Sequence, residues 1–178
     1  MIQENYMDSA ISFTELLDYT EQENRHWKNW FLAHPAALEV PCDIANVGTV
    51  GKLLLHIFAN HLFFAHRLLD MHIPDWKDWA SRVLPKDWAS RALSVDELFQ
   101  IADEGCIQLR SFITNAQTPN WQQVIELGFQ NLRASKRKMM AQTLLHGIHH
   151  RGQLATLLRQ HRFDGLWVHD LILTEVMN

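Results

Sequence analysis

The sequence predicts an all-α protein, an up-down four-helix bundle with elaborated connections. Its apolar residues recur mostly at steps of three and four, which is the spacing of a helix that buries one face. Only 7 glycines and 5 prolines occur in the 178 residues, so little interrupts long helices. No charge run or Gly/Ser-rich tract marks a boundary, and we therefore expect residues 1–178 to form a single domain.

Two long helices are predicted in the first half of the chain. The first begins near Asp8 or Ser9 and ends before Pro35, and its apolar side chains face inward: Phe13, Leu16, Leu17, Trp27, Trp30 and Phe31. A connection over residues 35–46 precedes the second helix, which extends from about Thr49 to Asp70. This helix is apolar around most of its circumference, so we expect it to be buried on several sides.

The segment 71–93 contains a repeat, in which KDWASRVL is followed nine residues later by KDWASRAL. Pro85 separates the two copies, which predicts short helical or irregular structure rather than one continuous helix. We expect Trp76, Trp79 and Trp88 to cover part of the core. The alternative is a lid over a pocket, because long connections are often functional.

The third long helix begins at Ser94, where the sequence SVDE places Glu97 three residues after the serine. This is the pattern of a capping box, in which each of the two side chains accepts a hydrogen bond from the other residue's backbone N–H. The helix extends to about Asn115. Short β-prone runs around Gly128 and Asn131 then predict a small hairpin before the fourth helix.

The composition excludes several classes of function. A net charge of −4 argues against general binding of nucleic acid or of an anionic membrane. No stretch approaches the roughly 20 apolar residues of a membrane-spanning helix, and the first ten residues do not resemble an export signal. Cys42 and Cys106 are too few for a disulfide scaffold or a cysteine-based metal site. We therefore expect a cytoplasmic protein that binds neither nucleic acid nor a membrane.

The fourth helix, from about Ser135 to His161, carries the motif LLHGIHHRGQL. His146 and His150 are four residues apart, so their rings lie on one face of the helix and could bind one metal ion. In a chain with 11 histidines such a pair also arises by chance, so the spacing alone is weak evidence. His149 points about 100° away from this face and is not expected to be a ligand.

A third ligand has to come from another helix. The second helix offers His56, His61 and His66, which follow one another at five-residue steps. Each step turns the side chain by roughly 140° around the helix. At most one of the three can therefore face the same point as the pair on the fourth helix.

The pairing of a mid-helix histidine with HxxxHRGQL resembles the DinB-like (DNA-damage-inducible) family of bacterial metal-binding four-helix bundles. The resemblance covers nearly the whole chain: its length, the helix order, the hairpin before the fourth helix and the apolar tail. It does not imply the DNA polymerase of the same name, because no polymerase-like carboxylate pattern is present. It does imply a divalent metal ion bound by His56, His146 and His150. Three imidazoles favour Zn or Ni over Mg or Ca and leave a coordination position open.

Other residues near the motif have predicted roles beside this site. Asn60 shares the helical stripe of the ligand on the second helix, and Gln153 could orient His150. Arg151 could hold a substrate carboxylate, although an ion pair with a neighbouring acid is the favoured interpretation. Glycine at position 152 lowers the stability of the helix by up to about 1 kcal/mol relative to alanine, which predicts a closely packed neighbour there.

Two alternative functions are open, and the resemblance implies the first of them. The first is a metal-dependent enzyme with a small-molecule substrate, because characterised relatives include S-transferases that use low-molecular-weight thiols, and other relatives are described as hydrolases. The second is a non-catalytic, metal-stabilised module for stress response or partner binding, in which a further ligand such as His61 closes the metal site. No acid stands at a motif position, so no general base can be named. Bundles of this kind commonly dimerise, and we expect a symmetric homodimer.

Overall fold

A computed structural model describes residues 11–71, 75–115, 120–127, 132–166 and 176. This part of the chain forms a helical bundle with two small antiparallel strand pairs, which confirms the predicted all-α class. The helices are α1 (Phe13–Ala33), α2 (Val50–Leu68), α3 (Trp76–Val83), α4 (Val95–Asn115) and α5 (Lys136–Gln160). The strands are β1 (Pro41–Cys42), β2 (Gly48–Thr49), β3 (Val124–Glu126) and β4 (Arg133–Ser135).

The first helix begins later than the sequence analysis placed it. It starts at Phe13, because Ser12 is extended (φ −85°, ψ 161°) and its hydroxyl accepts a hydrogen bond from the Glu15 backbone N–H. Asp8 and Ser9, near which the start was expected, lie outside the described residues. The Glu15 carboxylate in turn accepts from the Ser12 backbone N–H at 2.7 Å. These reciprocal bonds satisfy two N–H groups at the helix start that have no partner within the helix.

The remaining long helices start close to the expected positions. The hydroxyl groups of Thr49 and Ser135 cap α2 and α5. At the start of α4, Ser94 and Glu97 form the predicted capping box, with the Ser94 N–H donating to the Glu97 carboxylate at 2.9 Å. The serine and threonine positions therefore fix where these helices begin.

The bundle is arranged so that α2 and α5 are in direct contact. Helix α2 packs against both α4 and α5, and α1 packs against the same two helices. As expected from its apolar circumference, α2 contributes many buried side chains to the core, among them Leu53, Leu54, Ile57, Phe58, Leu62 and Leu68. Burying each such side chain stabilises the fold by about 1.5–3 kcal/mol, so α2 is held firmly in the core.

The predicted hairpin before the fourth long helix is present. Strands β3 and β4 pair antiparallel, with Val124 opposite Ser135 and Glu126 opposite Arg133. Its turn, residues 128–131, lies outside the described residues, as does most of the apolar tail (167–175). Within the described part of the chain, none of the helices has the length and apolarity needed to cross a membrane.

The two copies of the KDWASR repeat have different structures. The first copy forms α3. Its Trp79 is only 3% exposed, and the indole Nε1–H donates a hydrogen bond to Nδ1 of His66 at 2.9 Å. The second copy forms turns and contains Trp88. Trp76 and Trp88 are half-buried against the core, so the tryptophans do cover part of it as expected.

Candidate metal centre

Three histidines from two helices converge in the structure. Helix α2 contributes His56, and α5 contributes His146 and His150. One ring nitrogen from each lies within 4.8 Å of the others, and Nε2 of His56 is 3.2 Å from Nε2 of His146. A separation of 3.2 Å also suits a hydrogen bond between two imidazoles, so the presence of the third imidazole is what distinguishes a candidate metal site.

The donor set and its spacing fit a metal ion. Two nitrogens bound to one tetrahedral zinc ion at about 2.0–2.1 Å are about 3.3–3.4 Å apart, close to the 3.2 Å between His56 and His146. Among residues 11–71, 75–115, 120–127 and 132–166, no carboxylate, thiol or fourth imidazole joins the group. The three histidines could therefore hold a metal ion and would leave a coordination position open in the described part of the chain.

Burial keeps the three imidazoles in the neutral form that a metal requires. It lowers the pKa of His146 to about 4, with smaller contributions from the neighbouring imidazoles. The pKa of His56 is lowered first by burial and then by His150. Burial also lowers the pKa of His150, although its hydrogen bond to Gln153 opposes the shift. Each ring therefore has an unprotonated nitrogen at neutral pH.

The side chain of Gln153 orients one of the three rings. Its Oε1 accepts a hydrogen bond from Nδ1–H of His150 at 2.7 Å, which leaves Nε2 as the available donor to a metal. Two other polar atoms near the cluster, Nδ1 of His146 and Oδ1 of Asn60, are buried and have no hydrogen-bond partner in the described residues. Asn60 lies one turn beyond His56 on α2, so this unsatisfied oxygen is on the same helix as one of the three histidines.

His61 also faces α5 but is not part of the cluster. It packs directly against Gly147, where an added Cβ would lie 2.6 Å from Nε2 of His61. The His61 side chain is fully buried, and burial, followed by the charges of Arg151 and His146, lowers its pKa to about 3. The backbone carbonyl of Thr143 opposes this shift, but neither ring nitrogen has a partner in hydrogen-bonding geometry.

The structure places Arg151 in the interior of the bundle. Its side chain is 4% exposed, and Nη2 donates to Oδ1 of Asn24 at 2.6 Å. Asn24 in turn donates from Nδ2 to Sγ of Cys106 at 3.5 Å. Arg151 thus belongs to a buried polar layer, in which an amide accepts its hydrogen bond and the buried carboxylate of Glu23 favours its charged form. It is not exposed to a substrate carboxylate.

The close contact expected at Gly152 occurs elsewhere. Among the described residues, no atom of a neighbouring element would lie within 4 Å of a Cβ added to Gly152. The tight positions are Gly147, against His61, and Gly105, where a Cβ would lie 3.3 Å from the backbone nitrogen of Leu62. The expectation of a packed neighbour at Gly152 was therefore wrong.

A cleft of about 240 Å³ gives access to the cluster through His56. Trp76 and Trp88 line it together with His56, as does Lys52, one turn earlier on α2. Lys52 is a candidate functional residue that the sequence analysis missed. Its only signal in the sequence is the four-residue spacing to His56, which places the two side chains on one face of the helix.

The comparisons with known proteins identify one family. A model of the DinB family matches residues 1–162. No curated protein and no solved structure matches the chain. Because the family model covers most of the 178 residues, the chain belongs to the DinB family.

Proposed function

We propose that this protein binds a divalent zinc or nickel ion through His56, His146 and His150 and transfers a low-molecular-weight thiol to an electrophile. The observation that carries the proposal is the gathering of three neutral imidazoles next to an open cleft, with no fourth protein donor among the described residues. A purely structural zinc site usually has four protein ligands, whereas a catalytic site keeps one position open.

The choice of metal follows from the ligand type. Neutral imidazoles suit zinc, nickel and similar first-row ions, whereas magnesium and calcium prefer oxygen ligands. No carboxylate joins the three histidines in the described part of the chain. Zinc and nickel are therefore the ions to test first.

The protein's own residues bind, orient and shield the reactants. Gln153 holds the ring of His150 in one orientation, and burial keeps all three imidazoles neutral. Trp76 and Trp88 form apolar walls of the cleft on the side of His56. When bound, the ion would lower the pKa of a thiol or a water molecule and so supply a nucleophile at neutral pH.

The transfer reaction is a substitution that needs no oxidant or reductant. With monochlorobimane as the electrophile, a carbon–sulfur bond forms and the carbon–chlorine bond breaks. Chloride leaves with the bonding electron pair, and the thiol proton passes to solvent. Hydrolysis would use the same site with water in place of the thiol.

The test is a conjugation assay with zinc-loaded and nickel-loaded protein. Cysteine, glutathione and coenzyme A are each mixed with monochlorobimane, and the fluorescent adduct is measured against a chelated control. We expect adduct formation above the uncatalysed rate only in the metal-loaded protein, and its loss in His150→Ala but not in His149→Ala. Equal rates with and without chelator would contradict the proposal. Turnover of nitrophenyl acetate without any thiol would identify a hydrolase instead.

A second candidate function is a non-catalytic module that the metal stabilises. It is favoured by the origin of the ligands, because His56 lies on α2 and the other two histidines lie on α5. An ion bound only by the folded state would raise the unfolding temperature. A marked increase in unfolding temperature, combined with no turnover of either substrate type, would favour this alternative.

A further inference from the structure

The cleft beside His56 has a cationic side and an apolar side. Helix α2 contributes Lys52 and His56, which are one turn apart and separated by about 6 Å along the helix axis. The opposite wall consists of Trp76, Leu84 and Trp88, from α3 and the turns that follow it. A second cavity of about 240 Å³ adjoins the cleft and shares Lys52, Leu55 and Trp88 with it. The two cavities therefore lie side by side at these three residues.

The ammonium group of Lys52 is available to a ligand. Its side chain is exposed, and it makes no ion pair with any residue that the structure describes, including Glu39 in the adjoining cavity. Arg91 also lines that cavity, but its charge is already paired. It contacts the Asp87 carboxylate at 2.7 Å and the Glu97 carboxylate at 2.5 Å. Lys52 is thus the cation at this cleft that can bind an anionic group.

The apolar wall is suited to a flat group. Trp76 and Trp88 are half-buried against the core, so each retains some indole surface that a ligand can contact. Aromatic side chains favour stacked or edge-to-face contacts with planar groups. Such pockets combine an apolar lining with a few polar groups that fix the orientation of the ligand.

We infer that the cleft binds a planar apolar molecule that carries an anionic group, with the anion on Lys52, the flat body against Trp88 and the reacting end at His56. The assignment of the reacting end rests on the proposed function, whereas the anion site rests on Lys52 and the cleft. It makes Lys52 a specificity-determining residue for the charge of the substrate.

The test compares two probes that differ only in charge, para-(sulfanylmethyl)benzoate and the corresponding carboxamide. Their thiol and their carboxylate or amide stand at opposite ends of a benzene ring. Isothermal titration calorimetry with zinc-loaded protein should show tighter binding of the carboxylate by about fivefold, which corresponds to a partly exposed ion pair. In cobalt-loaded protein, both probes should produce a thiolate-to-cobalt absorption band, and its absence would refute the placement of the reacting end at His56.

Matched variants assign the preference to Lys52. Lys52→Gln should bind both probes equally, Lys52→Arg should retain the preference, and Lys138→Gln, an exposed lysine on α5, should behave like the unmodified protein. Trp88→Ala should weaken the binding of both probes to the same extent. Circular dichroism and metal content should be unchanged in Lys52→Gln. A preference for the carboxylate that persists in this variant, or no preference in the unmodified protein, would overturn the inference.

The same titrations in metal-free protein separate this inference from the proposed function. A carboxylate preference that depends on Lys52 and persists without metal supports the anion site even if no conjugation activity is found. Conjugation activity in a protein with no charge preference supports the proposed function and refutes the anion site.

Discussion

His56 and His61 lie five residues apart on α2, and both face α5 in the interior of the bundle. Burial lowers the pKa of both imidazoles, and the shift is largest at His61, whose pKa falls to about 3. Their surroundings differ, however. His56 meets the rings of His146 and His150 and lines a cleft, whereas His61 packs against Gly147 and has no hydrogen-bond partner in the described residues.

This comparison shows that a perturbed pKa alone does not identify the candidate site. Perturbed pKa values cluster at functional sites, but structural burial produces them too. At His61 the shift reports burial beside a cation, since Arg151 is the second-largest cause. At His56 the informative observation is that several nitrogen donors converge on one point with a cleft beside them.

The largest expected effect is the loss of metal binding when one of the converging histidines is removed. His56→Ala, His146→Ala and His150→Ala should each abolish stoichiometric binding of zinc, because two imidazoles remain where three converged. Elemental analysis of metal-loaded, desalted protein measures this directly.

Two histidine variants serve as controls for this experiment. His149→Ala should keep full metal content, because that side chain is exposed on another face of α5. His61→Leu should also keep it, because His61 is outside the cluster. Equal loss at His149 or at His61 would show that the three-histidine assignment is wrong.

Next in size is the effect of filling the space between His61 and α5. Gly147→Ala places a Cβ 2.6 Å from Nε2 of His61, which is fully buried and has little room to move. We expect a loss of about 1–3 kcal/mol in the free energy of unfolding, as is usual for overpacking. Urea denaturation of metal-free protein measures it.

The matched variant Gly152→Ala lies on the same helix but is exposed. It should raise the free energy of unfolding by up to about 1 kcal/mol, because alanine has the higher helix propensity. If the two substitutions changed stability by the same amount, the close approach at Gly147 would be refuted.

A smaller effect is expected when His150 loses its orienting partner. Gln153→Ala removes the acceptor of the Nδ1–H hydrogen bond and should weaken zinc binding by about tenfold, the lower end of the range for such partners. Competition with a chromogenic chelator gives the affinity. Gln142→Ala, at an exposed position of α5, should leave it unchanged. Unchanged affinity in Gln153→Ala would show that this hydrogen bond does not control the ring.

The last expected effect is on the pH dependence of stability. The pKa of His61 is about 3 in the folded protein and about 6.5 in the unfolded chain, so only the unfolded state binds this proton between those values. The free energy of unfolding should therefore fall by about 1.4 kcal/mol for each pH unit below pH 6.5 because of this residue. His61→Leu should remove the part of this pH dependence that one bound proton causes. Urea denaturation of metal-free protein between pH 7 and about pH 5 measures the free energy of unfolding. An unchanged slope would mean that His61 is not held neutral.

Much of the fold could be predicted from the sequence because its signals are local. The helical spacing and the capping box at Ser94 and Glu97 both depend on residues a few positions apart. The start of α1 was misplaced although the same signal was present, since Ser12 and Glu15 also stand three residues apart. Reading that pair as a capping box would have placed the helix correctly.

The candidate site was harder to predict from the sequence because it depends on contacts between distant segments. Five-residue spacing in α2 shows that only one of its histidines can face the pair on α5, but the choice requires the packing of the two helices. The same holds for the glycines, since nothing near Gly147 or Gly152 in the sequence shows which one meets a neighbouring side chain. The homodimer, the single domain and the cytoplasmic location stay predictions.

The duplicated KDWASR segment separates stability from selectivity. The tryptophan of the first copy, Trp79, is anchored in the core by His66, and the tryptophan of the second copy, Trp88, forms a wall of the cleft. If the cleft is the proposed binding site, changes in the second copy would alter which molecules fit without disturbing the anchor. Such an arrangement would let related proteins diverge in their choice of small molecule while the scaffold stays the same.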